Sequence, residues 1–298
     1  MIERILIGYD GSEQSRDALT LGAALADRLA ATPVLAVCFE GREPESGQEA
    51  EDRAEALFSE AVESTAQLDG GSIDRCMSVG VPASTGLSDL ASSERADLIA
   101  IGSTHRGAIG TVLPGSTALR LVSDGRHPLA IAPLGLTADA IATGDVAVAF
   151  DGSEEAANAL RFAASLASQT GSPVRVLAAL GASPDPTPGL LDRVGASDPA
   201  DSLARREELR RKVEEALDAI PEALEVDRVF VEGSPIGAIP ELEMASSALL
   251  VTGSHGRGPL GSLIHGSVSD ALAHTSPWPL IVVPAAAGDA GEGVDPTG

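Results

Sequence analysis

The 298-residue chain has almost no aromatic side chains, two cysteines and one lysine, and each shortage closes off a class of protein. With aromatics at 2% against 44% hydrophobic residues, any core is built from valine, isoleucine, leucine and alanine, which suits parallel strands buried on both faces. Cys38 and Cys76 lack ligand-type spacing, and without a third or fourth cysteine neither a disulfide framework nor a zinc site can be assembled. Lys212 is the sole lysine, so arginine supplies nearly all of the 20 positive charges, against 44 acidic residues and a formal charge of −24. No basic surface is left to displace counterions from phosphates, which excludes nucleic acid as a partner, and the composition is not that of a membrane-binding protein. There is no uncharged apolar run of transmembrane length and no apolar leader after Met1-Ile2-Glu3-Arg4, so a soluble cytoplasmic protein is expected. Strong acidity spread along a folded chain resembles proteins of salt-loving organisms, where salt screens self-repulsion; an acidic surface in an ordinary cytosol is the alternative.

What the chain does have is glycine, placed in a pattern. Gly253-Ser254-His255-Gly256-Arg257-Gly258-Pro259-Leu260-Gly261-Ser262-Leu263-Ile264-His265-Gly266-Ser267 follows the apolar run Ala248 to Thr252 and leads into a capped helix start at Ser267. A helix start offers unpaired N–H groups and a positive dipole end, and glycines let the main chain approach an anion, so this loop reads as a phosphate cradle. Gly102 to Ser116 aligns with it without a gap. Three more pairs keep the same order: Leu6 to Ser12 with Val148 to Ser153, Gly80-Val81-Pro82 with Gly233-Ser234-Pro235, and His127 to Pro133 with Trp278 to Pro284. The chain carries one unit twice.

Each copy alternates apolar runs with helical patterns, β-α-β-α-β-α-β-α-β, which predicts an α/β chain of two tandem doubly wound, open, parallel five-stranded sheets flanked by helices. In the first copy Ser12 caps a helix with Ala18, Leu21, Leu25 and Leu29 on one face. The domains are placed at 1–136 and 145–285, with a linker at 137–144 and a disordered tail at 286–298. Gly181 to Gly189 is too rich in proline for regular structure and reads as a loop. Arg205 to Lys212, interleaved with acids, reads as a solvated helix face.

These residues resemble the universal stress protein family, whose ATP-binding members carry Gly-x2-Gly-x9-Gly-Ser/Thr after the fourth strand and an Asp at the end of the first. The resemblance covers nearly the whole chain. It implies that Gly253, Gly256, Gly266 and Ser267 hold a triphosphate with Arg257 and the Val268 backbone nearby. It implies further that Asp151 lies at the ribose and adenine end, and that Thr252 and Ala179 line the base pocket. The ligand implied is ATP, or AMP or ADP, with Mg²⁺. The first copy keeps Asp10, Gly102, Gly115 and Ser116 as its matching positions, but His105 stands where the second glycine belongs and Pro114 lacks the N–H that His265 retains. A weakened or empty first site beside a competent second one is the expectation. The resemblance also implies an intramolecular pseudo-dimer with Leu129 to Ala132 and Leu280 to Val283 as the shared surface; a further homodimer is left open.

Other chemistries fit less well. Gly256 to Gly261 satisfies Gly-x-Gly-x-x-Gly, but it follows a fourth strand and no acidic residue is placed behind it to hold a ribose. A P-loop needs a lysine, and Lys212 is far from any such loop in sequence. The five histidines form no metal-ligand pattern. No catalytic residue and no metal ligand is assigned; a partner-binding scaffold without nucleotide and a slow ATPase remain the alternatives.

Overall fold

The computed structural model describes residues 1–40, 47–65, 73–104, 110–137, 141, 144–180, 199–232, 249–254, 276 and 278–285. The first half runs β1 (Arg4–Gly8), α1 (Glu13–Leu29), β2 (Thr32–Phe39), α2 (Gly47–Glu63), β3 (Asp74–Val79), α3 (Ala83–Ser93), β4 (Leu98–Gly102), α4 (Ser116–Asp124) and β5 (Leu129–Ala132). The second contributes β6 (Val146–Phe150), α5 (Glu154–Thr170), β7 (Val174–Leu180), α6 (Pro199–Leu217), β8 (Val226–Glu232), β9 (Leu249–Ser254) and β10 (Leu280–Pro284). Every pairing inside a half is parallel, in the orders β3-β2-β1-β4-β5 and β8-β7-β6-β9-β10. The α/β architecture read from the sequence is thus present in both halves.

The two sheets are continuous. β10 pairs antiparallel with β5, Leu280 opposite Ile131 and Val282 opposite Leu129, giving one sheet of 10 strands. All four β5 residues and Leu280 to Val283 are buried, so an unpaired edge here would put an apolar strand and its open hydrogen-bonding groups into water.

Local chemistry sets the helix starts. In Asp10-Gly11-Ser12 and Asp151-Gly152-Ser153 the glycine has φ of +82° and +83°, a left-handed turn that a Cβ disfavours. Each aspartate Oδ1 accepts from the serine amide, at 3.0 Å for Ser12 and 2.9 Å for Ser153, and each serine hydroxyl then caps its helix, accepting from Ser15 or Ala156. Ala18, Leu21, Leu25 and Leu29 are all buried, as the helical spacing requires. Residues of α1, α2, α5 and α6 pack on one sheet face with Ile5, Ile7, Val146 and Val148. On the other face α3 and α4 pack with Leu6, Ile99 and Ile131, joined by Leu280 and Trp278 of the second half.

Polar contacts also tie the halves together. The Arg28 guanidinium donates to the carbonyls of Ile141 and Gly144 and to Ser172 Oγ, at 3.3, 2.9 and 2.5 Å. Burial lowers its pKa, so this cation leans on neutral oxygens. Gln169 both accepts from the Ile2 amide and donates to its carbonyl, while within the first half Asp17 accepts from the Gly135 and Leu136 amides at 3.0 Å each. The proline-rich segment and the tail lie outside the described residues.

Candidate functional site

In the first half the chain leaves β1 through α1 on one face of the sheet and returns to β4 through α3 on the other. The crevice at the carboxyl ends of such neighbouring strands is where open α/β sheets bind ligands. Asp10 follows β1 and Gly102 ends β4, its hydrogen-bonded neighbour; Asp151 follows β6 and Gly253 lies near the end of β9, likewise paired. Residues 141 to 151 positions apart in sequence are thereby brought to two equivalent corners.

The glycines of the two loops do different jobs. A Cβ on Gly102 would run into the Gln14 carbonyl, and one on Gly253 into that of Glu155, both in the first turn of the helix after the aspartate. The close approach these glycines allow is to helix backbone, a packing role that the phosphate-cradle pattern alone did not reveal. Gly115 differs: its φ is −83° and a Cβ there would find only Thr104 Cβ at 3.7 Å. It stands as the N-cap of α4 without a side-chain cap, beside exposed Ser116.

Much of the first loop's hydrogen-bonding capacity is already committed to protein. Gly110 N–H donates to Leu134 O at 2.7 Å, Val112 N–H to Ser276 O at 3.0 Å and Leu113 N–H to Ser103 Oγ at 3.1 Å. Pro114 has no N–H to give. Ser103 Oγ in turn donates to Ala132 O at 2.6 Å, fastening the loop to the end of β5.

Beside Asp10 opens a cleft of about 190 Å³, lined by Val37, Cys38, Phe39, Glu40, Arg53 and Leu57. Arg53 lies over the Phe39 ring at 5.2 Å. Burial pushes the Asp10 carboxyl up, but hydrogen bonds from the Ser12 hydroxyl and amide and from Ser15 outweigh it, leaving it below the ordinary carboxylate value. Burial drives the Cys38 thiol up to about 12, which removes it as a nucleophile.

Strand register superimposes the second half on this cleft. Gly8 faces Ala36 and Phe150 faces Ala178, so Val37 corresponds to Ala178 and Cys38 to Ala179. Ala179 itself sits in β7 opposite Val231. Thr252 is fully buried in β9 opposite Val282. Gly256, Arg257, Gly266, Ser267 and Val268 lie outside the described residues, as does His105.

One residue was misjudged from the sequence. The arginine-rich stretch of α6 is a solvated face at Arg211, which pairs with Glu208 and Glu215, but Lys212 turns inward and donates to the Gly152 carbonyl at 3.1 Å, beside Asp151. Its distance along the chain concealed this; the recurrence of Leu57 and Leu209 three residues before Glu60 and Lys212 was the available signal. Elsewhere, Ser92 Oγ lies 2.9 Å from His127 Nε2, but that hydroxyl gives its proton to Ser88 O, so the pair is a fixed contact and not a nucleophile with its base. Among the described residues no His, Cys, Asp and Glu cluster is suited to a metal, and no helix is long and apolar enough to cross a membrane.

A sequence model described as the universal stress protein family matches residues 1–133 and again 143–284. A universal stress protein of Mycobacterium tuberculosis is 31% identical over 201 residues, 64% of this chain and 62% of that protein, so less than two thirds of this relative is spanned. Another, from the QAH/OAS sulfhydrylase 3′ region of Thermus aquaticus, is 30% identical over 139 residues, 46% of this chain and 96% of its own length. Among solved structures, a universal stress protein from Archaeoglobus fulgidus DSM 4304 superimposes with a TM-score of 0.68 at 19% identity, over 95% of this chain and 98% of that one, a likeness of fold.

Proposed function

This chain belongs to the universal stress protein family, and from that premise we propose that it binds ATP or a related adenine nucleotide in its second half, the first half being a degenerate copy. The observation that carries the reading is the placement of Asp151 just after β6 and of Gly253 near the end of β9, at the carboxyl ends of adjacent parallel strands, with the glycine loop following in sequence. Asp151 then takes the ribose and adenine end, near Ala179 and Thr252. Gly256, Gly266 and Ser267 take the phosphates, alongside Arg257 and the Val268 amide, while Gly253 packs the start of the loop against α5 and leaves its main chain to the ligand. The phosphates themselves bring in Mg²⁺ as a counterion.

Support for a degenerate first half comes from the committed amides of Gly110, Val112 and Leu113, and from Pro114. The cleft there carries two carboxylates, Asp10 and Glu40, against Arg53, and at about 190 Å³ falls short of the roughly 300 Å³ at which small-molecule sites begin. Asp10, Gly102, Gly115 and Ser116 then serve the fold and the pseudo-dimer formed through β5 and β10. Nucleotide occupancy is the regulatory signal, and any hydrolysis is slow, because no positioned general base or arginine finger is assigned.

The test is calorimetric titration of ATP with Mg²⁺ into wild type and Gly256→His, which copies the first loop's His105. Binding by wild type and its loss in the variant is the expected result. Binding that survives the substitution overturns the assignment of the site to the second loop, and no binding by folded, nucleotide-free wild type overturns the reading in favour of a partner-binding scaffold.

A further inference from the structure

The two halves differ in charge at one helix position that overlooks the aspartate turn. In the first half the Asp10-Gly11-Ser12 turn is met by α2: a Cβ built on Gly11 would lie 3.1 Å from Leu57 Cδ2 and 3.8 Å from Glu60 Oε2. In the second, Asp151-Gly152-Ser153 is met by α6: a Cβ on Gly152 would lie 3.4 Å from Leu209 Cδ1, 2.8 Å from Lys212 Cδ and 3.6 Å from Lys212 Nζ. Leu57 and Leu209 are therefore equivalent, and Glu60 is replaced by Lys212.

The exchange is concerted. Glu60 Oε1 accepts from Tyr9 Oη at 3.0 Å and from Arg16 Nη2 at 2.9 Å, so the first-half anion is neutralised by its own neighbours. Phe150 and Ala157 occupy the positions of Tyr9 and Arg16 in the second half, and neither offers a polar group. Lys212 is thus not a member of a rebuilt network. Among the described residues its hydrogen-bond partner is the Gly152 carbonyl, and Glu208, the carboxylate that feels its charge, is already held by Arg211. An ammonium has three donors. The half-buried lysine presents a positive charge at the corner occupied by Asp151 in a chain of formal charge −24.

We propose that Lys212 is a ligand-contacting residue of the second-half site, meeting the α-phosphate next to the ribose held by Asp151 and so selecting adenine compounds that carry phosphate over the uncharged nucleoside. The inference rests on the nucleotide-binding reading above. It also separates the halves, since Glu60 puts a carboxylate where the second half puts an ammonium.

Because Lys212 is the only lysine, the unmodified full chain supplies its own probe. The protein is treated with an amine acylating reagent, and modification of Lys212 and of the α-amino group is quantified by mass spectrometry with saturating ATP, with saturating adenosine and without ligand, saturation being established by calorimetry. A phosphate paired with the ammonium covers it and holds its proton, so ATP should slow Lys212 acylation about tenfold, with adenosine and the α-amino group showing no such effect. In parallel, Lys212→Met should bind ATP about tenfold more weakly and adenosine unchanged, with Lys212→Arg restoring ATP affinity. Equal acylation with and without bound ATP overturns the proposal, as does equal protection by adenosine or equal loss of both ligands in Lys212→Met. Absence of ATP binding by wild type instead overturns the nucleotide reading and this inference with it, so the two failures are told apart.

Discussion

Replacing Gly102 by alanine separates the structural duty of the repeated loop's first glycine from any duty to a ligand. The added Cβ would meet the Gln14 carbonyl oxygen, with the carbonyl carbon at 2.6 Å and Cα at 3.1 Å, against ordinary contacts of 3.4 to 4 Å. The obstacle is the backbone of α1, which cannot swing aside as a flexible side chain can, so the first turn of the helix must move off β4. Overpacking of this kind costs about 1–3 kcal/mol, and a backbone obstacle puts the expectation near about 3. At about 2–4 °C per kcal/mol, the melting midpoint should drop by about 6–12 °C. Gly115→Ala is the control, with φ of −83° and 3.7 Å to Thr104 Cβ, and should cost no more than about 1 kcal/mol, the difference between glycine and alanine at an N-cap. Scanning calorimetry of both variants without ligand decides. A Gly102→Ala protein melting with wild type, or a Gly115→Ala protein equally damaged, would refute the packing role.

Other outcomes follow from the same contacts. Arg28→Met removes donors to the Ile141 and Gly144 carbonyls and Ser172 Oγ, and should cost about 2 kcal/mol in urea unfolding with the native fold retained by circular dichroism. Burial raises the Cys38 and Cys76 thiols from 9.0 to about 12, so at pH 8 they should react with a disulfide reagent about a thousandfold more slowly than in urea. The unfolded thiols ionise first, so this contribution to stability is intact below pH 9.0 and is lost as pH rises towards about 12, readable from urea midpoints across that range. With a formal charge of −24, the melting temperature should climb as KCl is raised from about 0.1 to 1 M, because the Debye length falls from about 10 to 3 Å; a flat response would count against self-repulsion.

The fold was legible because strands buried on both faces and capped amphipathic helices leave local marks. Asp10-Gly11-Ser12 and Asp151-Gly152-Ser153 announce a strand end and a helix start in three residues, and they do so twice. Periodicity also marks Leu129 to Ala132 as a buried strand, but whether its free edge meets helix, loop or another strand is a tertiary choice. The candidate site was legible only as positions. A glycine looks the same whether it admits a phosphate or a neighbouring helix, and at Gly102 and Gly253 the neighbour is helix. Lys212 was hidden by its company: charge alternation marks α6 as solvated, which holds for Arg211, while the direction of one ammonium depends on the turn packed beneath it.

The most direct test of the central claim is the stoichiometry of ATP with Mg²⁺ bound to the full chain, measured by calorimetry at high salt. One site per chain is predicted, filled by the second half alone. Two equal sites, or none in folded, nucleotide-free protein, would contradict it.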